Sequence, residues 1–281
     1  MKKGTKMTLA VSLAAVTVAA VAITAIAVDE RIKVRTVKIP TDKVDGEIRI
    51  LHLSDLHSSP FGKDQAELIS RIDSLSPDVI LMTGDIFENR KTNEEAETLL
   101  ADIGLRYPCY YVSGNHEVAT LKLKKIKKQI ASYGVKVLEG ETVVFEVNGQ
   151  IISISGIDDP LAFPDSRGRL WEDQLRDCND DISEDVFSVL LTHRPELADL
   201  YTDTDFDLIL SGHAHGGQVI IPGIVNGIYA PHQGFFPEYA GGTFTLKDSQ
   251  TMVVSRGLSK YVRPRVFNRP ELVLIELVPE K

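Results

Sequence analysis

The 281 residues are ordinary in composition, 43% hydrophobic and 25% charged, enough to bury a sizeable core in one large domain or two small ones. Thirty-one basic against 40 acidic residues leave a formal charge of -9, which excludes broad electrostatic binding to nucleic acid and requires an anionic substrate to be attracted locally. The two cysteines, Cys109 and Cys178, form no CxxC or Cys/His spacing; they read as unpaired thiols, with one disulfide as the alternative.

The first element is apolar. Met7 to Val28 carries no charged residue and is long enough, at 1.5 Å per residue, to cross a hydrocarbon layer of ~30 Å. No polar face interrupts it, which separates it from a buried core helix. Lys2, Lys3 and Lys6 precede it while the other flank is mixed, so the N-terminus is expected in the cytoplasm and the remainder outside. Two fates follow: a retained single-pass anchor, which the length of the run favours, or a signal peptide cleaved near Ala27. The expected organisation is a membrane anchor or signal segment over residues 1–28 and one catalytic domain over 29–281.

Ile32 to Ile39 alternates like a half-buried strand closed by Pro40, and Ile48 to Leu53 predicts a second strand running into Ser54-Asp55-Leu56-His57. Apolar spacing predicts helices over Asp64 to Leu75, Asn93 to Ile103 and Val118 to Ser132. Asp78 to Met82 and Cys109 to Val112 read as short strands ending at Thr83-Gly84-Asp85 and Gly114-Asn115-His116-Glu117. A hairpin is expected about Asn148-Gly149; Val186 to Leu191 then delivers His193, and Asp207 to Leu210 delivers Gly212-His213-Ala214-His215. The last runs, Thr243 to Leu246, Met252 to Ser255 and Leu272 to Leu277, predict a second, more antiparallel sheet.

Five times an apolar run of strand length stops just before a metal-type residue, as in an open α/β sheet that builds its site at the carboxyl ends of strands. Five of the seven histidines (His57, His116, His193, His213, His215) fall in these segments, leaving His52 and His232. Asp55, Asp85, Asn115 and four of the imidazoles make an oxygen and nitrogen donor set without thiolate, suited to two divalent ions such as Mn, Fe or Zn. Singly, each segment has a plainer reading: a capped turn, a helix N-cap at Asn115, a loop histidine at His193. The ordered conjunction outweighs them.

Other residues read as structural first and functional second. Asp158 and Asp159 suit a turn, and Arg167, Arg169, Arg194 and Arg256 suit structural or surface roles with phosphate contact as the alternative. Phe163, Trp171, Phe235, Phe236 and Tyr239 suit the core, and Lys122, Lys124, Lys125, Lys127 and Lys128 a solvated helix face, with lipid headgroups as the alternative.

The ordered set Asp55-x-His57, Gly84-Asp85, Gly114-Asn115-His116-Glu117, His193 and Gly212-His213-x-His215 resembles that of the calcineurin-like metallophosphoesterase superfamily. Together with Gly156-Ile157-Asp158-Asp159-Pro160, Gly216-Gly217-Gln218, Ser255-Arg256-Gly257 and Arg269-Pro270-Glu271, it is similar to bacterial membrane-associated or exported phosphodiesterases of the YkuE and YaeI type. The resemblance implies a four-layer α/β/β/α sandwich with the active site at strand carboxyl ends, preceded by one N-terminal transmembrane helix. It implies that Asp55, His57 and His215 hold one ion, Asn115, His193 and His213 the other, and that Asp85 bridges them. A water shared by ions about 3.5–4 Å apart then attacks phosphorus. His116 stands by the substrate as proton donor or transition-state stabiliser, and Glu117 orients its imidazole. The expected substrate is a phosphodiester or pyrophosphate, lipid-linked or phospholipid-like, because the tether after the apolar run is short. A phosphomonoesterase, such as a nucleotidase or protein phosphatase, is the alternative. A non-catalytic metal-binding scaffold is a weaker one, since it has no use for His116.

Overall fold

The computed structural model describes residues 23–163, 169–247, 250–261 and 265–280. Period-two alternation sorts the apolar residues of each strand onto two faces, and this builds four layers. In β2 (Ile48–Leu53) Ile48 and Ile50 point into a core between two sheets, whereas Leu51 and Leu53 point to a layer of helices. β3 (Val79–Met82) repeats the pattern, with Val79 and Leu81 inside and Ile80 and Met82 outside. In β8 (Phe187–Leu191) Val189 and Leu191 enter the same inter-sheet core while Leu190 faces a third cluster. Helices α1 (Ala66–Leu75) and α2 (Glu94–Arg106) cover the first sheet with Leu68, Ile72, Leu99, Leu100 and Ile103. α5 (Arg169–Asp180) and α6 (Ala198–Tyr201) cover the second with Trp171, Leu175 and Tyr201. Cys109 and Cys178 are buried in the two opposite outer layers, so both are free thiols.

The first sheet runs β1 (Lys33–Thr41), β14 (Glu271–Pro279), β2, β3, β4 (Cys109–Tyr111), β5 (Lys136–Val137). The second runs β12 (Gly242–Thr245), β13 (Thr251–Val254), β9 (Leu208–Ser211), β8, β7 (Gln150–Gly156), β6 (Glu141–Val147). Within each, the strands from β2 to β5 and from β13 to β7 are parallel to their neighbours and share one carboxyl end. The loops after β2, β3, β4, β8 and β9 therefore meet, and they carry Asp55, Asp85, Asn115, His193 and His213.

Several expected elements need correction. The last strand, β14, does not join the second sheet: it inserts between β1 and β2, antiparallel to β2, where Leu272 to Ile275 are buried on both faces. The strand β1 is not closed by Pro40 but runs through it, because β1 lies at a sheet edge and its outward N–H groups need no partner. The helix expected over Val118 to Ser132 is two, α3 (Asn115–Ala119) and α4 (Leu123–Ser132), broken at Leu121 with φ 58°. Thr120 competes there, its hydroxyl donating to the Glu117 carbonyl at 2.6 Å and accepting from Lys122 N at 3.0 Å. Lys127 of α4 is not solvated: it is buried against Asp158 and Glu139. Phe235 and Phe236 are not core residues but 73% and 69% exposed. The expected membrane segment falls, up to Ala22, outside the described residues; among those described, no helix is long and apolar enough to cross a membrane.

Candidate metal centre

The strand-end loops bring all seven expected ligands together. Asp55 and His215 approach at 3.5 Å (Oδ1 to Nε2), and His57 Nε2 lies 3.3 Å from His215 Nε2. Beside this group, His193 Nε2 lies 3.2 Å from both Asn115 Oδ1 and His213 Nδ1. Asp85 stands between the two groups, its Oδ2 being 3.6 Å from His57 Nε2 and 3.3 Å from His193 Nε2. Its other oxygen accepts from His116 N at 2.8 Å, while Oδ2 is buried without a hydrogen-bond partner. An ionised oxygen buried alone is unfavourable unless a cation meets it, so the donor set fits two ions sharing Asp85.

Backbone geometry aims these side chains. Five of the seven (Asp55, His57, Asp85, His213, His215) adopt left-handed φ between 47° and 65°. Such backbone costs of order 1–3 kcal/mol each in a non-glycine residue and persists where surrounding structure enforces it. Glycine is required beside them: a Cβ on Gly212 would collide with Ser54 Oγ and Asp55 Oδ2, and one on Gly114 with Asp85 Oδ1.

Hydrogen bonds set the tautomers. His57 Nδ1 faces Glu88 Oε2 at 3.0 Å and His193 Nδ1 faces the Thr83 carbonyl at 2.7 Å, which leaves both Nε2 atoms free to bind metal. Asp55 is fixed by a buried relay: His52 Nε2 donates to Thr83 Oγ1 (2.8 Å), Thr83 to Ser54 Oγ (2.8 Å), and Ser54 to Asp55 Oδ2 (2.6 Å). His52, outside every sequence motif, thus acts at one remove, and burial pushes its imidazole down to about 3, so it is neutral there.

The electrostatics call for positive charge. Burial opposes ionisation of Asp85, yet His193 and His57 hold its carboxyl well below the usual range. Burial likewise works against a charged His193, but Asp85 draws it up to about 10, a proton standing where the pocket asks for a cation. Burial keeps His213 and His215 neutral, the form that ligates.

His116 and Glu117 differ from expectation in one respect. His116 is partly exposed, its Nδ1 3.1 Å from Glu88 Oε1. Glu88, three residues after Asp85, therefore orients it, and the same carboxylate holds His57. Glu117 does not touch the His116 ring. It is fully buried and accepts from the backbone N–H groups of Asp85 (2.9 Å), Gly114 (3.0 Å) and Phe87 (2.9 Å), tying the β3 and β4 loops together. Burial and the nearby Asp85 push its carboxyl up to about 7.

His232, a loop residue to which the sequence assigns no partner, stacks on His213 with ring centroids 5.2 Å apart and places Nδ1 3.1 Å from His213 Nε2. Arg194 is locked by Asp159 (Nε to Oδ2, 2.6 Å) and reaches His232 Nδ1 (2.8 Å) and Glu196 Oε1 (3.3 Å). Buried and fully engaged, it braces His213 and does not present itself to a phosphate. Asp158 and Asp159 are likewise buried acceptors, for Ser113 and Arg194. Arg256 turns to Asn226, 2.6 Å away. Arg167 lies outside the described residues.

The family model of calcineurin-like phosphoesterases matches residues 48–217, every proposed ligand included. The chain belongs to this family. An uncharacterized metallophosphoesterase of Campylobacter jejuni, Cj0846, is 31% identical over 89% of the chain, which spans 64% of that relative's length. The uncharacterized metallophosphoesterase YkuE of Bacillus subtilis is 30% identical over 82% of the chain and 78% of its own length. The fold is similar to that of phosphopantetheinyl hydrolase from Mycobacterium tuberculosis, with TM-score 0.50 and 14% identity over 82% of this chain and 96% of that one. Membership of a metal-dependent phosphoester hydrolase family agrees with the donor set, and the identity of the metal is left open by it.

Proposed function

We propose that the protein is a two-metal phosphodiesterase or pyrophosphatase that works at the outer face of the cytoplasmic membrane on a lipid-linked or phospholipid-like substrate. The observation that carries the hydrolytic part is the pair of ligand groups sharing the unpartnered Asp85 Oδ2. The charge-free run from Met7 to Val28, preceded by Lys2, Lys3 and Lys6, supports the location and the lipid part.

Two divalent ions bound there supply polarisation of the phosphoryl oxygens and an activated water. Asp55, His57 and His215 would hold one, Asn115, His193 and His213 the other, with Asp85 common to both. His116 presents Nε2 to the leaving oxygen and hands it a proton, while Glu88 fixes the ring at Nδ1 and favours its charged form. Glu117 keeps the Asp85 and Asn115 loops in register.

The test is hydrolysis of bis(p-nitrophenyl) phosphate against p-nitrophenyl phosphate by the full chain loaded with Mn, beside His116→Asn. Preference for the diester, lost in the variant, is the expected result; preference for the monoester transfers the protein to the phosphatases.

A further inference from the structure

From Leu208 to Pro237 the chain contains no Asp, Glu, Lys or Arg, in a protein that is 25% charged. The first part, β9 and the turn through His215, is buried and has no room for charge. Residues 218–237 are a surface flap. Ile224 is 80% exposed there, Phe235 and Phe236 are exposed as well, and Ile221 and Tyr229 are about two-fifths exposed. Uncharged surface this rich in large aliphatic and aromatic side chains is unfavourable in water and marks an interaction site.

The flap is an ordered structure seated on the metal centre. Tyr229 pairs with Phe235 across a two-residue-strand hairpin, β10 (Tyr229–Ala230) and β11 (Gly234–Phe235), and Phe236 N bonds the Ile228 carbonyl at 2.8 Å. Ile228 N in turn bonds Gly217 O at 2.9 Å, just past His215, and His232 at the hairpin turn touches His213. The flap is therefore fixed against the loop that carries His213 and His215.

The N-terminal apolar run enters the fold close to this surface. Residues 23–27 are helical, with Ile23, Ile26 and Val28 all more than half exposed. The Ala27 carbonyl accepts from Phe267 N at 2.6 Å, and the adjacent Val266 pairs with Val219 and accepts from Ile220 N at 2.9 Å. Two backbone pairings, each about 4.8 Å wide, separate the foot of the apolar run from the start of the flap. The two apolar segments therefore begin close together.

We propose that the flap docks on the phospholipid bilayer in which the N-terminal run is seated. Ile221, Ile224, Tyr229, Phe235 and Phe236 enter the headgroup–acyl boundary, and the metal centre opens onto the headgroup layer. The proposal rests on the membrane reading under the proposed function and adds an orientation that an anchor alone does not impose. The flap has no charge and the protein carries -9, so apolar burial drives the docking and zwitterionic lipid suffices. The phosphate taken from such a surface belongs to a lipid whose acyl chains stay in the membrane.

The full chain, reconstituted in phosphatidylcholine vesicles brominated on the acyl chains, tests this by fluorescence. The single native tryptophan, Trp171, is 2% exposed inside the protein and gives a constant background. Phe235→Trp and Ile224→Trp are the flap probes, and Val18→Trp, in the apolar run, is the control. Quenching of both flap probes by bromine near the headgroups, several-fold above background, is the expected result. Flap probes unquenched while Val18→Trp is quenched overturn the docking and leave the anchor standing; no quenching of any probe overturns the anchor as well. Flap emission shifted to the blue yet unquenched assigns the surface to another protein copy and also overturns the proposal.

Discussion

Two regions meet at the metal centre, the strand-end loops and residues 218–237, and they are built by opposite rules. At the strand ends the side chains are polar and buried: Asp55, His57 and His193 are fully enclosed, five ligands sit in strained backbone, and Glu117 answers three backbone N–H groups with one carboxylate. In residues 218–237 five large apolar side chains, Ile221, Ile224, Tyr229, Phe235 and Phe236, are exposed on a segment held by short backbone pairings. Burying polar groups and exposing apolar ones are each unfavourable for a protein in water alone. The first arrangement fits cations that complete it from inside; the second is the surface proposed to dock on a bilayer. Both directions of that contrast can be broken by substitution.

The largest effect is expected at Asp85. One carboxylate serves both ligand groups, so Asp85→Asn should lower the content of both metals together, and activity should fall with it, further than on loss of His116 or Glu88. Metal analysis of the purified variant decides this; two ions retained per chain would remove Asp85 from the bridging position. Next comes His116→Asn, expected to keep both metals and lose roughly 10²–10⁴ in kcat, the usual worth of a placed proton donor. Wild-type turnover would take His116 out of the mechanism.

Glu88→Gln should come third, with a loss of about 10–100-fold, the range seen when a partner behind a ligand or catalytic imidazole is removed. A pH profile separates orientation from mere packing. His116 donates only while protonated. Burial resists that charge, but the Glu88 carboxylate outweighs it and raises the pKa above the ordinary imidazole value. Activity is therefore lost as pH rises through that value, and removing the carboxylate should move this alkaline limb to lower pH. An unmoved limb with reduced kcat would leave Glu88 a structural role only.

How much of this was legible in the sequence depends on range. The clustering of the seven expected ligands was, because a strand followed at once by a turn is a local pattern, and parallel strands sharing a carboxyl end then gather such turns. Glu88 was not: it sits in a loop with no periodic signal, and its spacing of three from Asp85 is the only trace it leaves. The role expected of Glu117 went to Glu88 because sequence adjacency to His116 says nothing about where a helix aims its first turn. His52 and His232 act through partners 31 and 19 residues away, a separation that composition cannot show. The insertion of β14 between β1 and β2 is likewise a pairing over more than two hundred residues. The flap left a signal, the absence of charge from Leu208 to Pro237, but it reads as core until exposure is known.

The smallest effects test the contrast on stability instead of turnover. In Glu117→Gln one carboxylate oxygen becomes an amide NH₂ facing backbone donors, so at least one buried N–H loses its acceptor, a loss of about 1–3 kcal/mol. Thermal unfolding of the metal-free chain should show it as a lowered Tm. Ile224→Ser, at a side chain 80% exposed, should fall within about 0.5 kcal/mol of wild type. That near-zero would agree with a side chain left free for the proposed docking surface. Were Ile224→Ser to lower Tm as far as Glu117→Gln, the flap would be packed core, and the contrast between the two regions would fail.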